Sequence, residues 1–289
     1  MQKIPQQYKK DYYWLIKDKY HGTKPPAGKR LAEFEKDTER LLKDEPLDYI
    51  IGWKPFLNCK IDLSYKPHAP VPETEFWVEK FIKAVCSSSP QMREGLRRGV
   101  NDFIPNTTPP QSPPQLRRGR HQIKILDAFS GSGCIGIAVL KTIRKARVDF
   151  AEYEPRLIKQ IKYNLKINRI SSSRYKVIHS NILENVRMSY DVILANPPYV
   201  PAKRKPKMKP WAIKYWPQEA LFGGYDGLYF IRRFLKQAKN RLNKGGSIWL
   251  EFDSKQKKEI EKLIKQNKYS SWKFHRDQYK RWRYVIINL

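Results

Sequence analysis

The sequence predicts an α/β fold: an open, mostly parallel sheet with helices on both faces, joined through a β-hairpin to a small N-terminal helical unit. Three observations predict it. From residue 122 onward, short β-branched and apolar runs alternate with helical stretches. The first of these strands leads into a glycine-rich turn that opens a helix. Before residue 46, apolar residues recur at helical spacing instead.

In chain order, residues 1–46 read as the helical unit. Tyr12, Tyr13, Leu15 and Ile16 start one segment, and Gly22 to Gly28, with Pro25 and Pro26, interrupts it. Leu31, Phe34, Leu41 and Leu42 continue the pattern until Pro46. A unit this short must pack on something else. Residues 47–86 hold two apolar runs, Tyr49–Trp53 and Cys59–Leu63, with Lys54-Pro55 between them as a hairpin connection. Pro72, Glu73, Thr74 and Glu75 then start a helix, with acids where the helix dipole favours them. Residues 87–120 are rich in Pro, Ser, Thr and Arg, and Leu-Arg-Arg-Gly occurs twice, at 96–99 and 116–119. They read as a flexible insertion without a core. Residues 121–289 carry the alternating part. Its strands are expected at Ile123–Asp127, Val148–Glu152, Tyr175–His179, Asp191–Ala195, Ser247–Phe252 and Tyr284–Asn288. Helices are expected at Cys134–Arg144, Pro155–Asn168, Gly227–Leu242 and Ser254–Lys265.

Composition bounds the function. The 289 residues include 58 Lys+Arg and 28 Asp+Glu, a net charge of +30 that raises the question of a polyanionic partner. A hydrophobic content of 40% excludes a disordered basic tail. No uncharged apolar run reaches the roughly 18 residues of a membrane span, and charges break the first twenty residues where a signal peptide would need an apolar core. The three cysteines lack metal or redox spacing and fit a reducing, cytoplasmic setting. The five histidines are dispersed, so no metal site is expected.

Two motifs carry chemistry. Gly131, Gly133 and Gly136 follow the first sheet strand, where glycines let backbone approach a ligand. About twenty residues on, the next strand ends at Glu152, whose carboxylate can accept from ribose hydroxyls. A nucleoside-type cofactor is implied, either a nicotinamide or S-adenosylmethionine. The second motif, Asn196-Pro197-Pro198-Tyr199, ends the strand Asp191–Ala195. Its prolines supply no donors, which leaves the Asn196 side-chain oxygen and the Pro197 carbonyl as acceptors for a planar NH2 group. Tyr199 can lie against the flat face of that group. Methylation of a planar nitrogen needs such a site, and hydride transfer does not.

The sequence resembles the HemK/PrmC family, the glutamine methyltransferases of peptide chain release factors. Four features carry the resemblance: Tyr49-Ile50-Ile51-Gly52, the Pro72–Glu75 motif, the Asn196–Tyr199 tetrapeptide, and Glu219 to Leu228 with its Gly-Gly-x-Asp-Gly-Leu signature. The resemblance runs from about residue 46 to the end, apart from 87–120. It implies a class I methyltransferase-type (Rossmann-like) fold, S-adenosyl-L-methionine as cofactor, and transfer of a methyl group to the glutamine of a release factor's Gly-Gly-Gln loop. It further implies that 1–46 docks the substrate and that the chain is a monomer. Carried over, Asp127, Phe129, Ser130, Gly131, Ser132, Gly133, Glu152, Asn181 and Asn196 bind the cofactor. Asn196, Pro197, Pro198 and Tyr199 bind the glutamine amide, with Asn196, Pro197 and Tyr199 as the catalytic group. Departures are Phe129 for the first loop glycine, Glu152 for an Asp, Asn181 for an acid, and Val71 for an Arg, together with a shortened N-terminal part.

Residues 201–217 carry six Lys/Arg and no acid, with Trp211, Tyr215 and Trp216 among them. Basic residues interleaved with aromatics can contact RNA, or the aromatics can cover the active site. The charge keeps other readings open: methylation of an adenine amino group in DNA or RNA, of a ribosomal-protein glutamine, or a non-catalytic RNA-binding module.

Overall fold

The computed structural model describes residues 4–87 and 122–289. The insertion expected at 87–120 therefore lies, beyond Ser87, outside the described residues.

The N-terminal helices are α1 (Lys9–Trp14), which runs on into a wider π turn at Leu15–Lys19, and α2 (Leu31–Leu42). They enclose a small core of Leu15, Ile16, Tyr20, Phe34 and Leu41 that also takes in Ile50. Asp37 is buried there because its charge is matched: Lys19 lies 2.5 Å away and Arg40 2.9 Å away, and the Tyr20 hydroxyl donates to it at 2.8 Å.

The hairpin departs from expectation in its first run. Leu47–Ile51 forms a helical turn, α3, which Gly52 ends at φ +88°. Strand β1 starts only at Trp53 (Trp53–Phe56) and pairs antiparallel with β2 (Cys59–Asp62). Lys54-Pro55 thus sits inside β1, and the turn is Leu57-Asn58. The physical reason is Pro46. It gives α3 a fixed φ just before its first residue, and the edge of a two-stranded ribbon tolerates Pro55.

The other edge of this ribbon is closed by α6 (Pro155–Ile167) of the main domain. Asn168 exchanges hydrogen bonds with the Lys60 backbone at 3.1 and 2.8 Å, and Asn164 with the Asp62 backbone at 2.9 and 3.2 Å. Gln160 accepts from Tyr65 N at 2.9 Å. Amides four residues apart on a helix repeat every 6 Å or so, close to two strand residues, so helix side chains satisfy the strand edge. Helix α4 (Pro72–Ser87) follows and buries Trp77, Val78, Phe81 and Val85 on the sheet.

The main domain runs β3 (Ile123–Ala128), α5 (Cys134–Thr142), β4 (Ala146–Glu152), α6, β5 (Tyr175–His179), β6 (Tyr190–Ala195), α7 (Pro210–Tyr215), α8 (Gln218–Leu221), α9 (Tyr229–Ala238), β7 (Leu242–Glu251), α10 (Lys257–Gln266), β8 (Ser271–Arg276) and β9 (Trp282–Asn288). The sheet order is β5-β4-β3-β6-β7-β9-β8. The first five strands are parallel, and β9 runs antiparallel to both its neighbours. Helices α4, α5 and α6 cover one face and α9 and α10 the other, and each face has its own apolar cluster. The expected strands are all present. Strand β8 is additional, because its residues are half-exposed on an edge and Lys273, His275 and Arg276 mask the alternation. Strand order reverses between β3 and β6, so the crevice for a ligand opens at the carboxyl ends of β3, β4 and β6.

Candidate active site

The loop after β3 begins with a strained residue. Phe129 has φ +58°, in the left-handed region where glycine is usual. Its ring packs edge-on against Phe234 at 5.6 Å and Phe230 at 6.2 Å. Aromatic contacts of about 0.5–1.5 kcal/mol each offset a backbone cost of about 1–2 kcal/mol. The departure from glycine is therefore compensated from α9. Gly136 serves packing instead. A Cβ there would lie 2.4 Å from the Phe150 ring, so α5 can press on β4 only with glycine at that point.

Glu152 reaches from the end of β4 to this loop. Its Oε2 accepts from Gly131 N at 2.7 Å, and its Oε1 from Tyr153 N and Glu154 N at 2.8 and 2.9 Å. Burial raises its pKa, and the three amides oppose the shift. A carboxylate has about four acceptor sites, so one on Oε2 is left for a ligand hydroxyl. Asp127 lies beneath the loop instead. It is fully buried and away from the cavity walls; one oxygen accepts from Gly136 N at 2.9 Å, and the other has no partner among the described residues. Burial lifts its pKa well above the carboxylate range.

Two cavities meet at Asn196. The first, about 390 Å³, is lined by Phe129, Gly131, Glu152, Asn181, Pro198, Tyr229, Phe230 and Arg233. The second, about 290 Å³, is lined by Thr74, Ser130, Ser132, Cys134, Pro197, Tyr199, Trp216 and Arg283. Phe129, Gly131, Leu157, Asn196 and Ala220 border both. The expected residues thus divide. Glu152, Asn181 and Pro198 face the first chamber; Ser130, Ser132, Pro197 and Tyr199 face the second. Gly133 and Asp127 support the loop from behind. Asn181 donates to Glu184 at 3.2 Å, and Glu184 pairs with Arg233 at 2.7 Å, so the Asn181 carbonyl oxygen stays available as an acceptor.

Behind the tetrapeptide lies a buried carboxylate, Glu251, at the end of β7. It accepts from Thr74 Oγ1 and Trp77 Nε1, both at 2.7 Å, and from the Tyr199 hydroxyl at 3.0 Å. Burial raises its pKa against the pull of Trp77, Thr74 and Arg283. Tyr199 is half-buried, and desolvation of its phenol together with Glu251 raises the phenol pKa. The hydroxyl of Tyr199 is therefore tied inward to Glu251. Sequence reasoning assigns no site role to Thr74, Trp77, Glu251 or Arg283. The signals it offers are the Pro72–Glu75 motif, which contains Thr74, and a carboxylate inside the otherwise apolar run Ser247–Phe252.

The chain from Val200 to Leu228 folds back on the tetrapeptide. Val200 and Phe222 form a parallel bridge, Gly223 N donates to Val200 O at 3.0 Å, and Gln256 Nε2 donates to Tyr199 O at 2.9 Å. The basic stretch is folded too. Trp216 packs edge-on against Trp211 at 5.0 Å and His68 at 5.2 Å, and the Tyr215 hydroxyl donates to Lys43 O in the N-terminal unit at 3.1 Å. Trp211 and Trp216 thus wall a third cavity of about 590 Å³, bounded by the N-terminal helices, which shares His68, Ala69, Val71 and Trp216 with the second. Burial and the nearby Lys54 lower the His68 pKa to about 4, so a neutral ring stands where these two chambers join. Burial pushes the Cys134 thiol up to about 12, which removes it as a nucleophile.

Among the described residues, no helix is long and apolar enough to cross a membrane, and no group of three or more His, Cys, Asp or Glu could hold a metal ion.

Comparison with known proteins bears on the family. The family model described as Methyltransferase small domain matches residues 114–213. The chain is 32% identical over 252 residues to a bifunctional methyltransferase of Rickettsia felis, covering 86% of this chain and 46% of that protein. It thus spans about half the length of the first curated relatives it matches. It is 32% identical over 227 residues to the release factor glutamine methyltransferase of Thermodesulfovibrio yellowstonii, covering 78% of this chain and 70% of that one. Among solved structures, the hMettl16 catalytic domain in complex with MAT2A 3'UTR hairpin 6 shares the fold, with a TM-score of 0.55 at 14% identity over 89% of this chain and 80% of that one. The methyltransferase family model and this level of identity to release factor glutamine methyltransferases place the chain in the HemK/PrmC family.

Proposed function

We propose that this methyltransferase moves the methyl group of S-adenosylmethionine to the side-chain amide nitrogen of the glutamine in a release factor's Gly-Gly-Gln motif. One observation carries the reading: Asn196, whose side chain can accept from an NH2 group, stands at the border of two chambers. The names of the relatives support the substrate class.

The first chamber suits the cofactor. Glu152 keeps an acceptor for a ribose hydroxyl, Gly131 allows close approach, the rings of Phe129 and Phe230 can flank adenine, and the Asn181 oxygen can accept from its amino group. The bound sulfonium supplies an activated methyl group. Asn196 Oδ1 and the Pro197 carbonyl accept the two amide hydrogens of the substrate and turn its nitrogen toward the first chamber. They also favour the positive charge that develops as the N–C bond forms and the S–C bond breaks. Holding nitrogen and methyl in line supplies a proximity term of up to about 7–11 kcal/mol. The methylated nitrogen is then acidic enough to release its proton to water. The third cavity and the N-terminal helices, residues 1–46, give the release factor a face to dock on, and Trp211 and Trp216 of 201–217 serve as its wall.

Labelled S-adenosylmethionine tests this reading with a release factor, its variant lacking the Gly-Gly-Gln glutamine, ribosomal proteins and nucleic acid. Label is expected in the intact release factor alone, and label confined to nucleic acid overturns the reading. Glu152→Ala is expected to weaken cofactor binding about 10–100-fold, as fits loss of hydrogen bonds to a charged group worth about 1.5–3 kcal/mol. Unchanged affinity by calorimetry counts against its assignment.

A further inference from the structure

Asn196 must show its carbonyl oxygen, not its amino group, to hold a substrate NH2. The two ends of an amide have nearly the same shape, so packing alone does not choose between them. Hydrogen bonding does. Asn196 Nδ2 lies 3.1 Å from Thr74 Oγ1. The Thr74 hydroxyl has one hydrogen, and Glu251 Oε2 takes it at 2.7 Å. Trp77 and Tyr199 also donate to this carboxylate, and with three donors converging on its two oxygens Glu251 acts toward Thr74 as an acceptor. Thr74 therefore turns lone pairs, not a hydrogen, toward Asn196. Thr74 is 2% exposed and Glu251 fully buried, so the bond between them is shielded from bulk solvent.

We infer that Thr74, set by Glu251, is a positioning residue that locks the Asn196 amide with Nδ2 inward and Oδ1 toward the substrate. This inference rests on the reading of Asn196 as the acceptor for the glutamine amide. It also gives Thr74 of the Pro72–Glu75 motif a physical role, since a helix start placed against the end of β7 carries a polarity across to the end of β6.

The test has two readouts. The first is exchange of the Asn196 side-chain amide hydrogens by NMR, assigned by their loss in Asn196→Asp. The second is kcat and KM for methylation, measured beside cofactor affinity. Thr74→Val, which keeps the shape and removes the hydroxyl, is expected to speed Asn196 exchange at least tenfold. It should lower kcat about 30–100-fold, with cofactor affinity within about threefold of wild type. Thr74→Ser is expected to restore slow exchange and most of kcat. If Thr74→Val does not fold, Thr74→Ala removes the same hydroxyl without adding bulk. Exchange that is the same in wild type and variant overturns the lock. Faster exchange with full kcat overturns its positioning role. If wild type methylates no release factor, the substrate reading falls, while the exchange result still decides the lock.

Discussion

Asn196→Ala is expected to lower kcat by about 10²–10³ while cofactor affinity stays within about fivefold. The magnitude is that of removing one preorganised hydrogen-bonding group aimed at developing charge. The direction follows from where the side chain stands. An amide nitrogen is a weak nucleophile because its lone pair is delocalised, so turnover depends on how that nitrogen is oriented. Asn196 borders the cofactor chamber as well, but Glu152, Asn181 and Phe129 make separate and more extensive walls there. Alanine also leaves the Thr74 hydroxyl bonded to Glu251, so the buried network behind the site keeps its strongest contacts. Calorimetry with the cofactor and single-turnover methylation separate the two effects. Affinity falling in step with turnover would make Asn196 a cofactor ligand first and would sink its role toward the substrate.

The residues that are legible in the sequence share a property: what each one does is set by its neighbours along the chain. Gly131 to Gly136 and Asn196 to Tyr199 sit at strand ends, where a turn alone decides what the backbone can offer. The alternation of β3 to β7 with their helices is equally local. What is not legible depends on contacts far apart in the chain. Thr74 and Glu251 are 177 positions apart, and Gln160, Asn164 and Asn168 meet β2 across about a hundred residues. A buried polar residue in such a place looks like surface until its partner is known. The aromatics of 201–217 show the same limit. Their interleaving with lysines leaves an RNA contact and a cover for the active site equally open, and only distant partners show that Trp216 packs on Trp211 and His68 while Tyr215 bonds to Lys43. Tyr49–Trp53 departs from its expected strand for a local reason: β-branched residues in a short run do not distinguish a strand from a helical turn when a proline stands before them.

Gly227→Ala is the other substitution with a large expected effect, and it acts on the site without touching a substrate. Gly227 has φ +78°, and a Cβ there would lie 2.2 Å from Tyr199 O, 2.5 Å from Gln256 Nε2 and 3.0 Å from Pro201 N. Two of these are backbone atoms of the tetrapeptide and the residues just after it, so no side-chain rotation relieves the overlap. Gly223 faces the same wall, since its Cβ would meet Pro198 O at 2.4 Å. Gly223 and Gly227 of the Gly-Gly-x-Asp-Gly-Leu signature thus form a backbone clamp on the Asn196–Tyr199 turn, and both are set by the closeness of two chain segments. Alanine at 227 adds a left-handed backbone cost of about 1–2 kcal/mol to overpacking of about 1–3 kcal/mol. The expected outcome is a Tm lower by about 5–10 °C. Displacing the acceptors by about 1 Å should cost about 10² in kcat even in molecules that remain folded. Gly52→Ala supplies the comparison for stability, because it too has positive φ but open space around its Cβ. It should show only the backbone share of the Tm loss. Equal losses at the two positions would mean that strain alone, and not the clamp on the tetrapeptide, explains the glycine at 227.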